Sequence, residues 1–258
     1  MKAAKLLCRH AYGILMEEIN NLLTRIEWSV LNCIRGYKTV GVAFSGGLDS
    51  ALIAFLAGKQ ANVECYTVAV SGAPDIEWSK HAAKLLGISH VVIVLSPEEV
   101  LEFAREFRIA SGITSVLKMS YELPVYVILK MMNEEILLTG QGADELFAGY
   151  HRYIEMSVEA LEKALASDFE KALRERELEV AVAKALGKVI QSPYFDERVV
   201  EYAHTLPISL KLRNGIRKYI LRECARAAGL PDVICMREKK AAQYSSGIYR
   251  VLKKEGIR

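Results

Sequence analysis

The residues Ser45-Gly46-Gly47-Leu48-Asp49-Ser50 concentrate groups that suit phosphate chemistry. Two adjacent glycines let the backbone come close to an anion, and the hydroxyls of Ser45 and Ser50 add donors. An apolar run, Val40–Phe44, leads into the segment and a helical pattern follows it. The free N–H groups and dipole of a helix N-terminus would therefore point at the same spot. The segment is not the G-x-x-x-x-G-K-S/T loop, whose lysine reaches the terminal phosphates. Asp49 stands here instead, and an acid beside phosphates calls for a bridging cation. Mg2+ is held by one or two carboxylates plus phosphate oxygens, so a second acid is expected from elsewhere in the chain. Asp144, in Thr139-Gly140-Gln141-Gly142-Ala143-Asp144-Glu145, follows the next strand end that could supply it.

Each motif alone has a plainer reading. Ser, Gly and Asp are common in capped turns, and an acid in a helix first turn is stabilising without any ligand. The preceding strand, the following helix and the second glycine-rich loop together favour the ligand reading.

The elements that must position these residues alternate. Apolar runs at Thr39–Phe44, Val63–Val70, His90–Leu95 and Glu135–Thr139 read as strands, with helical patterns at Leu48–Lys59, Asp75–Leu86, Pro97–Ser111 and Tyr121–Asn133 between them. This is the βαβ pattern of an α/β fold with a doubly wound parallel sheet. Residues 11–35 carry Ile14, Leu15, Ile19, Leu22, Leu23, Ile26, Val30 and Ile34 at helical spacing, a leading amphipathic helix ended by Gly36. From Glu145 onward the pattern is mostly helical, punctuated by Pro193, Pro207 and Pro231, with no strong strand. We expect one domain over 1–258: a helical extension to 36, a nucleotide-binding core over 37–150, and a helical part over 151–258 closing the substrate site.

At these residues the chain resembles the ATP pyrophosphatase superfamily, whose loop reads S-G-G-x-D-S, and within it the synthetase domain of asparagine synthetases. The supporting pieces fall in that family's order. They are Ser71-Gly72-Ala73-Pro74-Asp75, then Leu138–Tyr150, which is similar to L-S-G-E-G-S-D-E-x-F-G-G-Y, and Pro193-Tyr194-Phe195-Asp196. Lys218-Tyr219-Ile220-Leu221-Arg222 and Arg237-Glu238-Lys239 follow. The resemblance implies that ATP's phosphates lie on Ser45, Gly46, Gly47 and Ser50, and that Mg2+ bridges them to Asp49 and Asp144. It also implies that Val68 and Gly140 border the adenine, and that Lys239 neutralises charge at the reacting phosphates. The implied reaction adenylylates a substrate carboxylate, releases pyrophosphate and forms an amide when an amine displaces AMP. Pro193–Asp196 and Lys218–Arg222 are expected to serve packing and helix termini, not the chemistry.

The chain also departs from the family. Gln141 stands where the family has a glutamate thought to assist catalysis; glutamine can position by hydrogen bonding but cannot act as a base. Gly187–Pro193 differs from the family's G-V-E-A-R-V-P, so aspartate specificity is poorly supported. No glutaminase domain fits before Thr39, so ammonia, another amine or a separate glutaminase subunit is expected to supply nitrogen. Two alternatives follow: a ligase of the same superfamily acting on another carboxylate, and a nucleotide-binding subunit without turnover.

Composition excludes other classes. At 258 residues, 52% hydrophobic and 25% charged, the chain can bury a full core and is not a disordered or fibrous protein. A formal charge of +3 with interspersed signs gives no footprint for nucleic acid. No apolar stretch approaches the ~20 residues of a membrane span, and no signal peptide is evident, so a cytoplasmic location is expected, with a homo-oligomer left open. Five scattered cysteines without a C-x-x-C pair suggest neither a disulfide framework nor a zinc site.

Overall fold

Five apolar strands form one parallel sheet in the order β3-β2-β1-β4-β5. They are β1 (Thr39–Ala43), β2 (Asn62–Val70), β3 (Ser89–Leu95), β4 (Ile136–Leu138) and β5 (Val189–Gln191). In this computed structural model, residues 2–238 and 245–254 are described, with side chains from residue 13 onward. Helices α2 (Leu48–Ala57), α3 (Pro74–Leu86), α4 (Pro97–Ser111), α5 (Val116–Met131), α6 (Ala143–Leu146) and α7 (Val158–Ala185) connect the strands. Strand β1 pairs with β2 on one side and β4 on the other. The chain thus winds outward in both directions from β1, and the crevice beyond the C-terminal ends of β1 and β4 is where such sheets bind ligands.

Residues alternate between the two faces, as the period-2 pleat requires. Ile136 and Leu138 of β4 join a core with α1 (Lys2–Cys33), α2, α8 (Glu197–Thr205) and α10 (Tyr219–Ala228), while Leu137 joins the opposite core with α4, α5, α7 and α12 (Ile248–Lys254); the short α9 (Ile208–Lys211) and α11 (Asp232–Cys235) flank α10 in the chain. Ile19, Leu22, Ile26, Val30 and Ile34 form the buried stripe of the leading helix, whereas Ile14 is exposed.

Three expectations change. β5 and an antiparallel hairpin, β6 (Leu212–Arg213) with β7 (Ile216–Arg217), lie in the region read as lacking strong strands. β5 buries only Ile190, with Val189 exposed and a polar Gln191 at its end, so no apolar run marks it, yet it extends the sheet beyond β4. The hairpin turns on Asn214 and Gly215, both at positive φ, the backbone that Asn-Gly pairs favour. Finally, α5 starts at Val116 and runs through Pro124, with Ser115 accepting from Lys118 N–H as its cap, where the pattern suggested a start at Tyr121.

Candidate nucleotide and cation site

The glycine loop is locked from both ends. Ser50 Oγ donates to Gly47 O at 3.3 Å and accepts from Ser45 N–H at 3.2 Å, while Gly47 N–H donates to Ser45 Oγ at 3.3 Å. Gly46 sits at φ 64°, and a methyl on it would lie 2.8 Å from the Trp78 ring. That closeness has a purpose: Trp78 Nε1–H donates to Gly46 O at 2.7 Å. Arg237 lies 4.3 Å above the same indole and donates to Ser45 O at 3.2 Å. Gly47 caps α2 with no side-chain hydrogen bond to the first turn, whose N–H groups are therefore left for an anion.

The two acids proposed to share a metal do converge, on a side chain placed elsewhere by the sequence reading. Lys218 Nζ donates to both carboxylate oxygens of Asp49, at 2.8 and 2.7 Å, and pairs with Asp144 Oδ1 at 2.7 Å. Lys218 is buried, as is Asp49, while Asp144 is partly open. Burial alone would lower the lysine pKa; the charges of Asp144 and Asp49 outweigh it and raise it. Lys218 is thus not confined to packing at a helix terminus. It does cap α10, in the left-handed conformation at φ 56°, and its own N–H donates to Phe147 O at 3.1 Å. The hairpin delivers it there, and the Asn214-Gly215 pair was the sequence signal for that turn. Arg222 keeps the packing role expected of it, donating to the carbonyls of Arg217, Cys235 and Arg237.

Gly140 brings β4 against the start of α2: a methyl on it would sit 3.0 Å from Asp49 Cβ and 3.3 Å from Ser50 N. Tyr194 Oη donates to Asp49 O at 3.3 Å, tying the Pro193–Phe195 turn to the same helix start. Beyond Gly140, Gln141 donates its amide to Glu179 on α7. Glu179 faces Glu122 on α5 and shares a hydrogen bond with it. Burial first, then Glu179, raises the Glu122 pKa; burial likewise raises that of Glu179. Among the described residues, Glu179 Oε2 meets no nitrogen or hydroxyl donor, so a protonated Glu122 is the group that can supply one. A carboxylate at position 141 would face Glu179 as a like charge, which gives the glutamine there a physical reason.

The family model described as Asparagine synthase matches residues 21–191 and 159–254, which together span most of the chain. The chain belongs to the asparagine synthase family. A Methanocaldococcus jannaschii protein provisionally named asparagine synthetase 1 (glutamine-hydrolyzing) is 36% identical, over 93% of this chain and 53% of its own length. Asparagine synthetase B of Escherichia coli K12 is 27% identical over 89% of this chain and 45% of its own length. The Homo sapiens asparagine synthetase is 27% identical over 90% and 44%. The chain spans about half the length of these curated relatives. Among solved structures, an NMN synthetase from Francisella tularensis aligns at 13% identity over 95% of this chain and 87% of its own, with a TM-score of 0.47.

In this asparagine synthase family member, the structure gathers Ser45, Gly46, Gly47, Asp49, Ser50, Gly140 and Asp144 around one crevice end. Val68 is buried in the core cluster of Tyr66, Ile93 and Leu95. Lys239 lies outside the described residues. Trp78 and Arg237 are loop supports that the sequence reading gave no role; their signal was weak, since an aromatic on a helix and a basic residue near a chain end are ordinary features. Among the described residues, no helix is long and apolar enough to cross a membrane.

Proposed function

We propose that the chain is an ATP- and Mg2+-dependent amide-forming ligase of asparagine synthetase type. The observation that carries this reading is the convergence of Asp49 and Asp144 on one cation position beside the Ser45–Ser50 loop. A Lys218 ammonium held at 2.7 Å from both carboxylates supports this reading, since the pair already holds one positive charge. Two carboxylates beside a phosphate loop are the hard oxygen donors that Mg2+ takes, so the donors fit Mg2+. When bound, Mg2+ would neutralise charge on the phosphates.

The chain's own groups then account for the rest. The first-turn N–H groups of α2, the loop backbone and the hydroxyls of Ser45 and Ser50 hold the α and β phosphates. Val68 and Gly140 border the adenine, and Lys239 neutralises charge near the reacting phosphates. A substrate carboxylate oxygen attacks the α-phosphorus, and the bond to the β-phosphate bridge breaks with pyrophosphate taking the electron pair. An amine nitrogen then attacks the acyl carbon and loses a proton as AMP departs. Stabilising developing negative charge with fixed donors is the protein's main contribution. Gln141 positions by hydrogen bonding, not as a base. The nitrogen comes from ammonia, another amine or a separate glutaminase subunit, and the reaction takes place in the cytoplasm.

Isotope exchange between pyrophosphate and ATP, run across a panel of amino-acid carboxylates with ammonia present, tests the proposal. Carboxylate-dependent exchange is expected. Exchange at background for every carboxylate, with Mg-ATP bound, would leave a nucleotide-binding subunit instead.

A further inference from the structure

Lys218 holds the position that the proposed metal needs. Its ammonium is bidentate on Asp49 and also paired with Asp144, so the inward-facing oxygens of both acids are already engaged. A divalent cation with ligands at about 2.0–2.1 Å would have to take those oxygens with the ammonium lying between them, and two cations held that close repel strongly. The lysine backbone cannot withdraw to make room. Its N–H is bound to Phe147 O at 3.1 Å, its carbonyl accepts from Arg222 N–H at 2.9 Å, and its left-handed φ is set by the hairpin before it. Only the side chain can move.

Moving it without a new partner is costly. The ammonium is buried, and removing a buried charge from its partners leaves an uncompensated ion. A triphosphate bound at the same helix start, as the ligase reading has it, would offer the ammonium another anion.

Resting on the ligase reading, we propose that Lys218 is an internal counter-ion that keeps free divalent metal out of the Asp49–Asp144 pair, so that metal enters together with the nucleotide. Metal and nucleotide affinities are then coupled, and the coupling is reciprocal. Gly149 packs against the lysine stem: a methyl on it would lie 2.2 Å from Lys218 Cε, so a larger residue there would displace the stem.

The test is Mn2+ binding to the full chain, followed by the electron paramagnetic resonance signal of free Mn2+, with and without α,β-methylene ATP. Wild type is expected to bind Mn2+ at least about tenfold more tightly with the nucleotide than without it. Lys218→Met is expected to bind Mn2+ without nucleotide about tenfold more tightly than wild type, and its melting temperature should rise with Mn2+ alone while wild type's does not. Lys218→Gln repeats the measurement if the methionine variant fails to fold. Equal Mn2+ affinity in wild type with and without bound nucleotide overturns the inference, as does a Lys218 variant that binds free Mn2+ no better than wild type. Failure of α,β-methylene ATP to bind would sink the ligase reading instead, and the nucleotide-free comparison would still decide the role of Lys218.

Discussion

The α-carbon of Gly149 lies against the carboxylate of Asp144: a methyl there would fall 1.8 Å from Oδ1, the same oxygen that pairs with Lys218. Gly149 N–H also donates to Asp144 O at 2.8 Å, so the backbone is drawn close by the contact that forbids a side chain. Gly149→Ala is expected to push Asp144 off Lys218. Overpacking of this kind costs about 1–3 kcal/mol, so the urea midpoint should fall and Mg-ATP binding, read by calorimetry, should weaken together. An alanine variant with wild-type stability and affinity would show that the crowding is relieved elsewhere.

Trp78 acts on the loop through one hydrogen bond, to Gly46 O at 2.7 Å. Trp78→Phe keeps an aromatic face beneath Arg237 but removes the donor. The loss of one such bond is worth about 1 kcal/mol, so the Kd for Mg-ATP should rise about fivefold. An unchanged Kd would mean that the intraloop serine bonds alone hold the loop.

Glu122 and Glu179 give stability a slope in pH. Burial raises both pKa values, so the folded chain keeps a proton that the unfolded chain releases above the ordinary value of 4.5. The unfolded state then binds fewer protons, and stability declines as pH rises through the range between the unfolded and folded values. Glu122→Gln supplies an N–H donor to Glu179 without a titrating group. Denaturation curves from pH 5 to 9 should be flatter for the variant, by up to about 1.4 kcal/mol per pH unit, with the variant more stable at the alkaline end. Parallel profiles for the two proteins would contradict the shared proton.

Lys211 works with the opposite sign. Burial pushes this lysine down to about 8, opposed by the charge of Glu162. Between that value and the ordinary 10.5 the unfolded chain holds a proton the folded chain has lost, so stability climbs with pH across that interval. Below it the charged form is a standing penalty. Lys211→Met should therefore stabilise the protein at neutral pH by about 2 kcal/mol and lose that advantage towards pH 10.5. A methionine variant less stable than wild type at pH 7 would show that the Glu162 attraction outweighs the burial.

What the sequence disclosed depended on how local each signal was. Ser45–Ser50 was readable because its glycines, hydroxyls and acid act within one turn of chain, flanked by a strand and a helix of ordinary length. Strands β1 to β4 were readable for the same reason, each lying in an apolar run between turn residues. β5 was not, because Val189–Gln191 becomes a strand only by pairing with β4. Lys218 does cap α10 as the helix-end reading had it, but its pairing was not legible, because its partners lie far away in the chain, on α2 and α6. Gln141 was seen as a departure but not explained, since Glu179 is brought to it by a long helix folding back.

Lys218 and Asp49 are separated by 169 residues. During synthesis, α2 and its acid leave the ribosome long before the hairpin that carries the lysine. Until then Asp49 has no cation of its own chain to bury against, and the pairing comes late because distant contacts are the slow ones to form. The centre therefore closes only when the chain is nearly complete: a chain cut short before Lys218 leaves the Asp49 and Asp144 carboxylates without the ammonium that joins them.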